Sequence, residues 1–437
     1  MCECIKRKEK KVLIIAYYFP PLGMGGVQRA TKFAKYLPLF GWNPFVLTVK
    51  DVEYLAKDPS LLEELSPEVE IVRTGSFDPL RISFVLKSFF KKRKPKGKSV
   101  KKNRVRRSKL SSWFFFPDSK IGWIPFALFA GLKLVREEKI DLIFTTSPPP
   151  SLHLAGYFLK LLTGKPWVAD FRDPWIGYKF EIYPTFLHFF LKDQLVRLIV
   201  RNADRIISAN PSITKIMMEQ YSGAKKIGTI NQGYDESDFE TGVARKAELF
   251  TIGYLGTFSP DCDPEPLFWA LRNLIDQKLI PKDKIKFIHV GLSMGMDLDG
   301  LIEKYDLKQV FDKKGYLPHR KALDQMKDVS IFLLVTSDNP LIFPAKVFEY
   351  LLFKKPILGI VPQESGVGKV ILEMKLGRVV SPEDKNGIAE TLLYYFSNFE
   401  NKTFSFSRNE ENVKKFDRRY LTSKLASIFD QITGKAR

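Results

Sequence analysis

Cysteine is nearly absent. Cys2, Cys4 and Cys262, in a chain of 437 residues, give no even set for a disulfide framework, and no histidine cluster stands near Cys2 and Cys4 to complete a metal site. This usage fits a reducing cytoplasm. Histidine is as scarce: His153, His188, His289 and His319 have no serine or carboxylate at a spacing that indicates a triad, so nucleophilic hydrolysis has no support. His153 sits early in an apolar helical pattern and reads as a core residue. No apolar run approaches the roughly 18 residues that a membrane-spanning helix needs. The basic start MCECIKRKEKK ahead of VLIIAYYF imitates a signal peptide, but the apolar part runs straight into PPLGMGG without a small-residue cleavage site. It reads as a first core strand. No repeat of solenoid period is visible.

Acidic residues are missing from one stretch in particular. From Lys87 to Lys109 the chain carries thirteen Lys and Arg and no acid, so the net charge of +21 falls to +8 without it. Phe84 precedes the run, Phe89 and Phe90 stand at its start ahead of Lys91, and Trp113, Phe114, Phe115 and Phe116 follow it. Cations beside aromatic rings suit an anionic membrane surface, where charges meet headgroups and rings enter the interface. A solvated loop is the plain alternative. Nucleic acid would attract the same charges, but no RNA- or DNA-binding module accompanies them, and that reading ranks last.

What is present is alternation. A chain of this length, 45% hydrophobic, exceeds one ordinary core and implies two domains. Strand candidates KVLIIAYY, PFVLTV, VEIVRT, DLIFTTS, PWVADF and RIISAN alternate with helical patterns, and after a polar segment the cycle restarts with FTIGYLGTF, IKFIHVG, VSIFLLV and KPILGIV. That rhythm implies parallel, doubly wound sheets. The expected division is a first domain over 1–240 with a basic insertion at about 87–109, a second over 245–410, and a helical tail over 411–437. Glu240 to Glu248 is the candidate linker.

Two strand ends carry candidate chemistry. In LIIAYYFPPLGMGGVQR a buried strand meets a turn with Gly23, Gly25 and Gly26 and then a helix, so bare amides and the positive end of the helix dipole face whatever lies above the strand. Either a phosphate or sugar ligand sits there, or the turn is structural, because the pattern is not GxGxxG followed by an acidic ribose contact. After KPWVADF, the group Asp170-Phe171-Arg172-Asp173-Pro174-Trp175 lies at another strand end. Its carboxylates can accept from sugar hydroxyls while the indole packs on a sugar ring. The alternative is local pairing of Arg172 with one aspartate.

The segments AYYFPPLGMGGVQRATKFAKYLPLFGW, TTSPPPSLHLAGYFLKLLTGKPWVADFRDPW, GYLGTF and PAKVFEYLLFKKPILG, in this order, resemble the family 4 glycosyltransferases of the GT-B fold. The resemblance implies two Rossmann-like domains facing across a cleft, and retaining transfer of a sugar from a nucleotide-sugar donor without a metal or other cofactor. It also implies an acceptor on the first domain, lipid-linked or a surface polysaccharide, reached from the cytoplasmic side of the membrane, where the basic run would hold the protein peripherally.

By the same resemblance, Glu349 accepts hydrogen bonds from the donor ribose, as a carboxylate can from two vicinal hydroxyls. Lys346, one helical turn earlier, is otherwise its ion-pair partner. Asp173, with Asp170, becomes the candidate catalytic group near the reacting sugar. Two departures stand out. Leu341 occupies the position where many members carry a second glutamate, and FSPDCDPEP after Gly256 has no basic residue before Arg272. Diphosphate charge then falls to Lys346, Arg320 and amides near Gly256 and Gly366, while Gly25 and Gly26 stay the candidate contacts for a phosphate or charged sugar in the first domain. These departures also motivate the alternative of a catalytically impaired, membrane-associated binding or scaffold protein on the same fold.

Overall fold

The computed structural model describes residues 9–79, 81–82, 85, 115–173, 175, 185–221, 226–239, 248–337, 343–403 and 406–434. Two compact units emerge. Unit 1 comprises Met1–Asn231 with Thr422–Arg437, and unit 2 comprises Gln232–Leu421. The chain thus changes unit between Asn231 and Gln232, ahead of the linker candidate at 240–248, and the segment from Thr422 rejoins unit 1. The basic run 87–109, Leu341 and residues 240–247 lie outside the described residues.

Unit 1 is built on seven parallel strands, β1 (Lys10–Ile15), β2 (Trp42–Val49), β3 (Glu70–Thr74), β4 (Leu142–Ser147), β5 (Trp167–Phe171), β6 (Arg205–Ser208) and β7 (Ile227–Thr229). Their order is β3-β2-β1-β4-β5-β6-β7. Val12 to Ile15 and every residue of β4 and β5 are buried, as a sheet covered on both faces requires. The helix Gly25–Tyr36 places Val27, Ala30, Phe33 and Ala34 on one face at helical spacing, and all four are buried.

Unit 2 repeats the plan with β8 (Phe250–Leu255), β9 (Ile285–Val290), β10 (Phe311–Gly315), β11 (Ile331–Val335), β12 (Ile357–Ile360) and β13 (Gly377–Val380), ordered β10-β9-β8-β11-β12-β13. In both sheets the order turns back at one place, between β1 and β4 and between β8 and β11. Successive connections leave in opposite directions there, and sheets of this kind bind ligands in the crevice outside the strand ends at such a reversal. β8 and β11 pair only through Ile252 with Ile331 and Gly253 with Phe332. Beyond that the Tyr350 hydroxyl bridges them, accepting from Leu255 N–H and donating to Leu333 C=O, both at 3.1 Å.

The helix Arg418–Gly434 carries the chain out of unit 2. In unit 1, Phe429 packs edge-on against Trp42 at 5.2 Å and Phe144 at 5.6 Å, and Asp430 pairs with Lys10 at 2.8 Å. Trp42, Phe144 and Phe429 are fully or almost fully buried. Phe429→Ala should therefore destabilise unit 1 by about 3–5 kcal/mol, the usual cost of emptying an aromatic site. A lower first unfolding transition by calorimetry is the expected result, and an unchanged transition would show that the helix is dispensable.

Candidate functional site

In unit 2 the chain leaves β8 at Gly256 with φ +136°, a conformation that excludes ordinary side chains. Its N–H bonds Val290 C=O at 2.8 Å, and its C=O accepts from His289 Nε2 at 2.9 Å. Lys346 lies over this turn. A Cβ on Gly256 would meet its Nζ at 3.0 Å and its Cε at 3.2 Å. The ammonium also sits 4.0 Å above the Tyr254 ring and donates to the Tyr254 hydroxyl. Burial pushes the Lys346 pKa below the usual lysine range, against the nearby Cys262 and Glu349, which raise it. Tyr254 in turn stacks on Phe258 at 4.0 Å with the rings nearly parallel. The lysine is thus held at the strand end by a ring that is itself held.

Glu349 follows on the short helix Lys346–Tyr350. Lys346 turns toward Gly256 and Tyr254, and no ion pair with Glu349 forms. Among the described residues the half-buried Glu349 carboxylate has no hydrogen-bond or ion-pair partner. The next residue is Tyr350, so the helix that presents Glu349 is fixed by the hydroxyl bridging β8 and β11. Gly366 opens the helix Gly366–Glu373 after β12, capped by the Ser365 hydroxyl, which accepts from Gly368 N–H at 3.1 Å. Arg320 is exposed on the helix His319–Asp324, and no hydrogen bond or ion pair joins it to Lys346 or Glu349.

In unit 1 the helix begins at Gly25, after Met24 at φ 72° and without a side-chain cap. Arg172 covers this helix start. It donates to Gly26 C=O, and a Cβ on Gly26 would meet its Nη1 at 3.0 Å. The same guanidinium grips Asp173 through Nη2 at 2.8 Å and Nε at 3.2 Å. Local pairing of Arg172 is therefore what the structure contains, yet the Asp173 side chain stays 55% exposed and open to further partners. Gly26, Arg172 and Asp173 come together at the ends of β1 and β5.

Asp170 is placed differently. Its carboxylate is fully buried and accepts from Arg29 Nε and Nη2, each at 2.8 Å, and from the Thr146 hydroxyl at 2.7 Å. Arg29 Nη1 continues to Asn231 C=O at 3.0 Å. This pair ties the first helix to the middle of the sheet and to the last residue before unit 2. A long-range partner at a sequence separation of 141 leaves no local signal, which is why Arg29 escaped notice. Tyr254 and Tyr350 escaped for the opposite reason, since each looks like an ordinary core aromatic. His153 is buried, as its apolar helix suggests. Its Nδ1 bonds the Thr145 hydroxyl at 2.9 Å, and that hydroxyl also accepts from Trp167 Nε1 at 2.8 Å. His188 and His319 bond Thr185 and Asp238.

The model of Glycosyltransferase Family 4 matches residues 89–238. Among solved structures, a sucrose-phosphate synthase from Thermosynechococcus elongatus is similar with a TM-score of 0.65 at 14% identity, over 98% of this chain and all of that one. HepE from Anabaena, in complex with UDP, gives 0.62 at 14% over 97% of this chain and 100% of its own. A TarM mutant of S. aureus, in complex with fondaparinux, alpha-GlcNAc-glycerol and UDP, gives 0.62 at 10% identity, over 96% and 100%. No curated protein matches the sequence. These likenesses establish the two Rossmann-like units as the GT-B fold. Among the described residues no helix is long and apolar enough to cross a membrane.

Burial holds His153 and His289 neutral, with pKa values lowered from 6.5 to about 3 and about 4. A lowered folded pKa gives stability that is complete above pH 6.5 and is lost as pH falls toward 4 and 3. Melting temperature should thus fall steeply from pH 6.5 to 4.5, by an amount equivalent to about 1–3 kcal/mol for each histidine. His153→Gln, which keeps an acceptor for Thr145, should flatten that decline. An equally steep decline in the variant would move the acid sensitivity elsewhere.

Proposed function

We propose, for a chain that belongs to glycosyltransferase family 4 and has the GT-B fold, that it moves a sugar from a nucleotide-sugar donor to a lipid-linked or surface-polysaccharide acceptor with retention of configuration. The observation that carries this reading is the Glu349 carboxylate, without a hydrogen-bond or ion-pair partner among the described residues, next to a lysine anchored over Gly256. Two acceptor oxygens suit the vicinal hydroxyls of a ribose, and a charged acceptor makes the stronger hydrogen bonds. A fixed cation over a glycine turn suits a diphosphate. HepE, solved with UDP and with UDP-glucose, supports a donor of that class. The lipopolysaccharide outer core galactosyltransferase WaaB supports a cell-surface polysaccharide setting.

In this reading unit 2 takes the donor and unit 1 the acceptor. The costly event is departure of the nucleoside diphosphate, as negative charge grows on its oxygen. The Gly256 N–H is taken by Val290 C=O, so Lys346, with the amides at the start of the helix Gly366–Glu373, stabilises that charge, and because Lys346 is already packed it needs no rearrangement at the moment of reaction. Its ammonium supplies charge that a metal would supply elsewhere. The acceptor attacks from the face that the leaving group vacates, and a phosphate oxygen takes its proton, so no dedicated protein base is needed. Asp173, paired with Arg172 but still accessible, orients the sugar or acceptor hydroxyls; Asp170, buried and saturated by Arg29 and Thr146, holds the first helix against the sheet. Arg320 adds positive charge on the donor side, and the exposed Gly25, next to the Arg172-covered Gly26, leaves main chain open at the acceptor side. Leu341, on which the non-catalytic alternative leans, lies outside the described residues.

Glu349→Ala should weaken donor binding strongly with folding intact, since among the described residues no hydrogen bond or ion pair is removed and alanine suits a helix. A thermal-shift panel of UDP-, GDP- and other nucleotide sugars reads this, because a ligand of the folded state raises stability by mass action. Glu349→Gln should recover part of the shift. Equal shifts in wild type and Glu349→Ala would sink the ribose assignment.

The run 87–109 supports peripheral attachment at the inner face of the membrane. Each cation near an anionic surface contributes about 1 kcal/mol, so a fraction of the thirteen suffices. Replacing the basic residues between Lys91 and Lys109 with Ser and Gly should release the protein from anionic vesicles at low salt while leaving the donor-induced shift unchanged. A variant that remains bound there would refute electrostatic attachment.

A further inference from the structure

The helix Phe186–Asn202 begins with five apolar residues among its first six, and Phe186, Leu187 and Phe190 are 85%, 59% and 50% exposed. Its later residues behave conventionally: Val196, Ile199 and Val200 are buried in unit 1. The first turn and a half therefore presents large apolar groups to solvent, which soluble proteins avoid outside interaction sites. At 1.5 Å per residue this portion is about 8 Å long, comparable to the depth at which interfacial elements enter a bilayer.

What covers it follows from the neighbouring chain. The Phe116 ring packs edge-on against His188, inside the same turn, at 5.7 Å. Lys109 precedes Phe116 by seven residues, and a fully extended chain of that length spans at most about 25 Å. Covalent connection alone thus limits how far the last cation of the run can be from the apolar turn. Unit 1 fixes this connection, because Asp118, two residues after Phe116, accepts from Ser151 N–H at 2.8 Å and from its hydroxyl at 3.0 Å. Bare rings and dense positive charge together complement an anionic bilayer, whose acyl boundary receives the rings and whose headgroups receive the cations. An apolar groove on a protein would satisfy the rings alone.

We propose that Phe186, Leu187 and Phe190 form a wedge that inserts into the interface of an anionic bilayer. The proposal deepens the attachment reading above and rests on it for the choice of bilayer. The division of labour is specific: the cations draw the protein to the surface, and the wedge retains it when salt screens them. It also sets an orientation, with the start of this helix turned toward the lipid.

The test is flotation of the full chain with vesicles of equimolar phosphatidylcholine and phosphatidylglycerol, at low and at high salt. Wild type should keep part of its binding at high salt. The triple variant Phe186→Ser/Leu187→Ser/Phe190→Ser should lose that salt-resistant part by roughly tenfold or more, with an unchanged melting temperature, because the replaced side chains are exposed. Salt-resistant binding equal to wild type would overturn the wedge. So would a wild-type dimer that the triple variant converts to monomer while vesicle binding persists, since a second copy would then be the occupant. The basic-run variant separates the two readings. If it stays bound at low salt while the triple variant is released, the electrostatic reading falls and the wedge stands.

Discussion

The reversal of strand order in each parallel sheet is the constraint on which the other features hang. Connections on either side of the reversal run in opposite directions, so the sheet is parted at the ends of β1 and β4, and of β8 and β11, where side chains from elsewhere must close it. Such an opening weakens the sheet where it occurs. Unit 2 compensates with Tyr350, whose hydroxyl joins strands that have stopped pairing. Unit 1 compensates with Arg29 and Asp170, a pair that joins the first helix to β5 and reaches Asn231. Groups that hold the openings in shape stand directly beside groups that remain available to a ligand. Glu349 precedes Tyr350 in sequence, and Asp173 follows Asp170 by three residues.

Desolvation decides which charges remain available. A buried ion that lost its partner would be costly, and Arg29 and Asp170 are accordingly saturated by each other, Thr146 and a carbonyl. Lys346 is packed against an aromatic ring, a cheaper environment for a cation than plain hydrocarbon. Glu349 and Asp173 keep contact with water, which lets one persist without a partner and the other with a single one. Partial exposure is therefore what allows a carboxylate at a strand end to wait for hydroxyl groups.

Much of this architecture was legible because it is local. Apolar runs of strand length alternating with helical patterns give the two parallel sheets, the glycine turn follows the first strand, and the PAKVFEY segment carries the helix that the resemblance implies. The division of the chain was less legible. Tyr234 N–H bonds Phe416 C=O at 3.0 Å, and Arg418 N–H bonds Tyr234 C=O at 2.9 Å, so the segments entering and leaving unit 2 are joined across nearly two hundred residues. Composition registers a polar stretch such as 240–248 but not that pairing. Asp170 and Asp173 look equivalent in DFRDPW. Only the end of β5 at Phe171, which leaves Asp170 inside the strand and Asp173 beyond it, and the distant Arg29 separate a buried carboxylate from an accessible one. The exposed start of Phe186–Asn202 was invisible for a related reason, since FLHFFL reads as core until a neighbour fails to cover it.

The return of the last helix to unit 1 has a consequence for biosynthesis. Unit 1 is interrupted: Trp42 and Phe144 wait for Phe429, which follows only after all of unit 2 has been made. At about 5–20 residues per second, the stretch from Gln232 to Leu421 occupies the ribosome for roughly 10–40 s. During that interval the nascent first sheet carries an open aromatic site, while the inserted unit has all its strands and can fold without waiting. The order of completion is then the reverse of the order of synthesis, with the later-made unit finished before the earlier one.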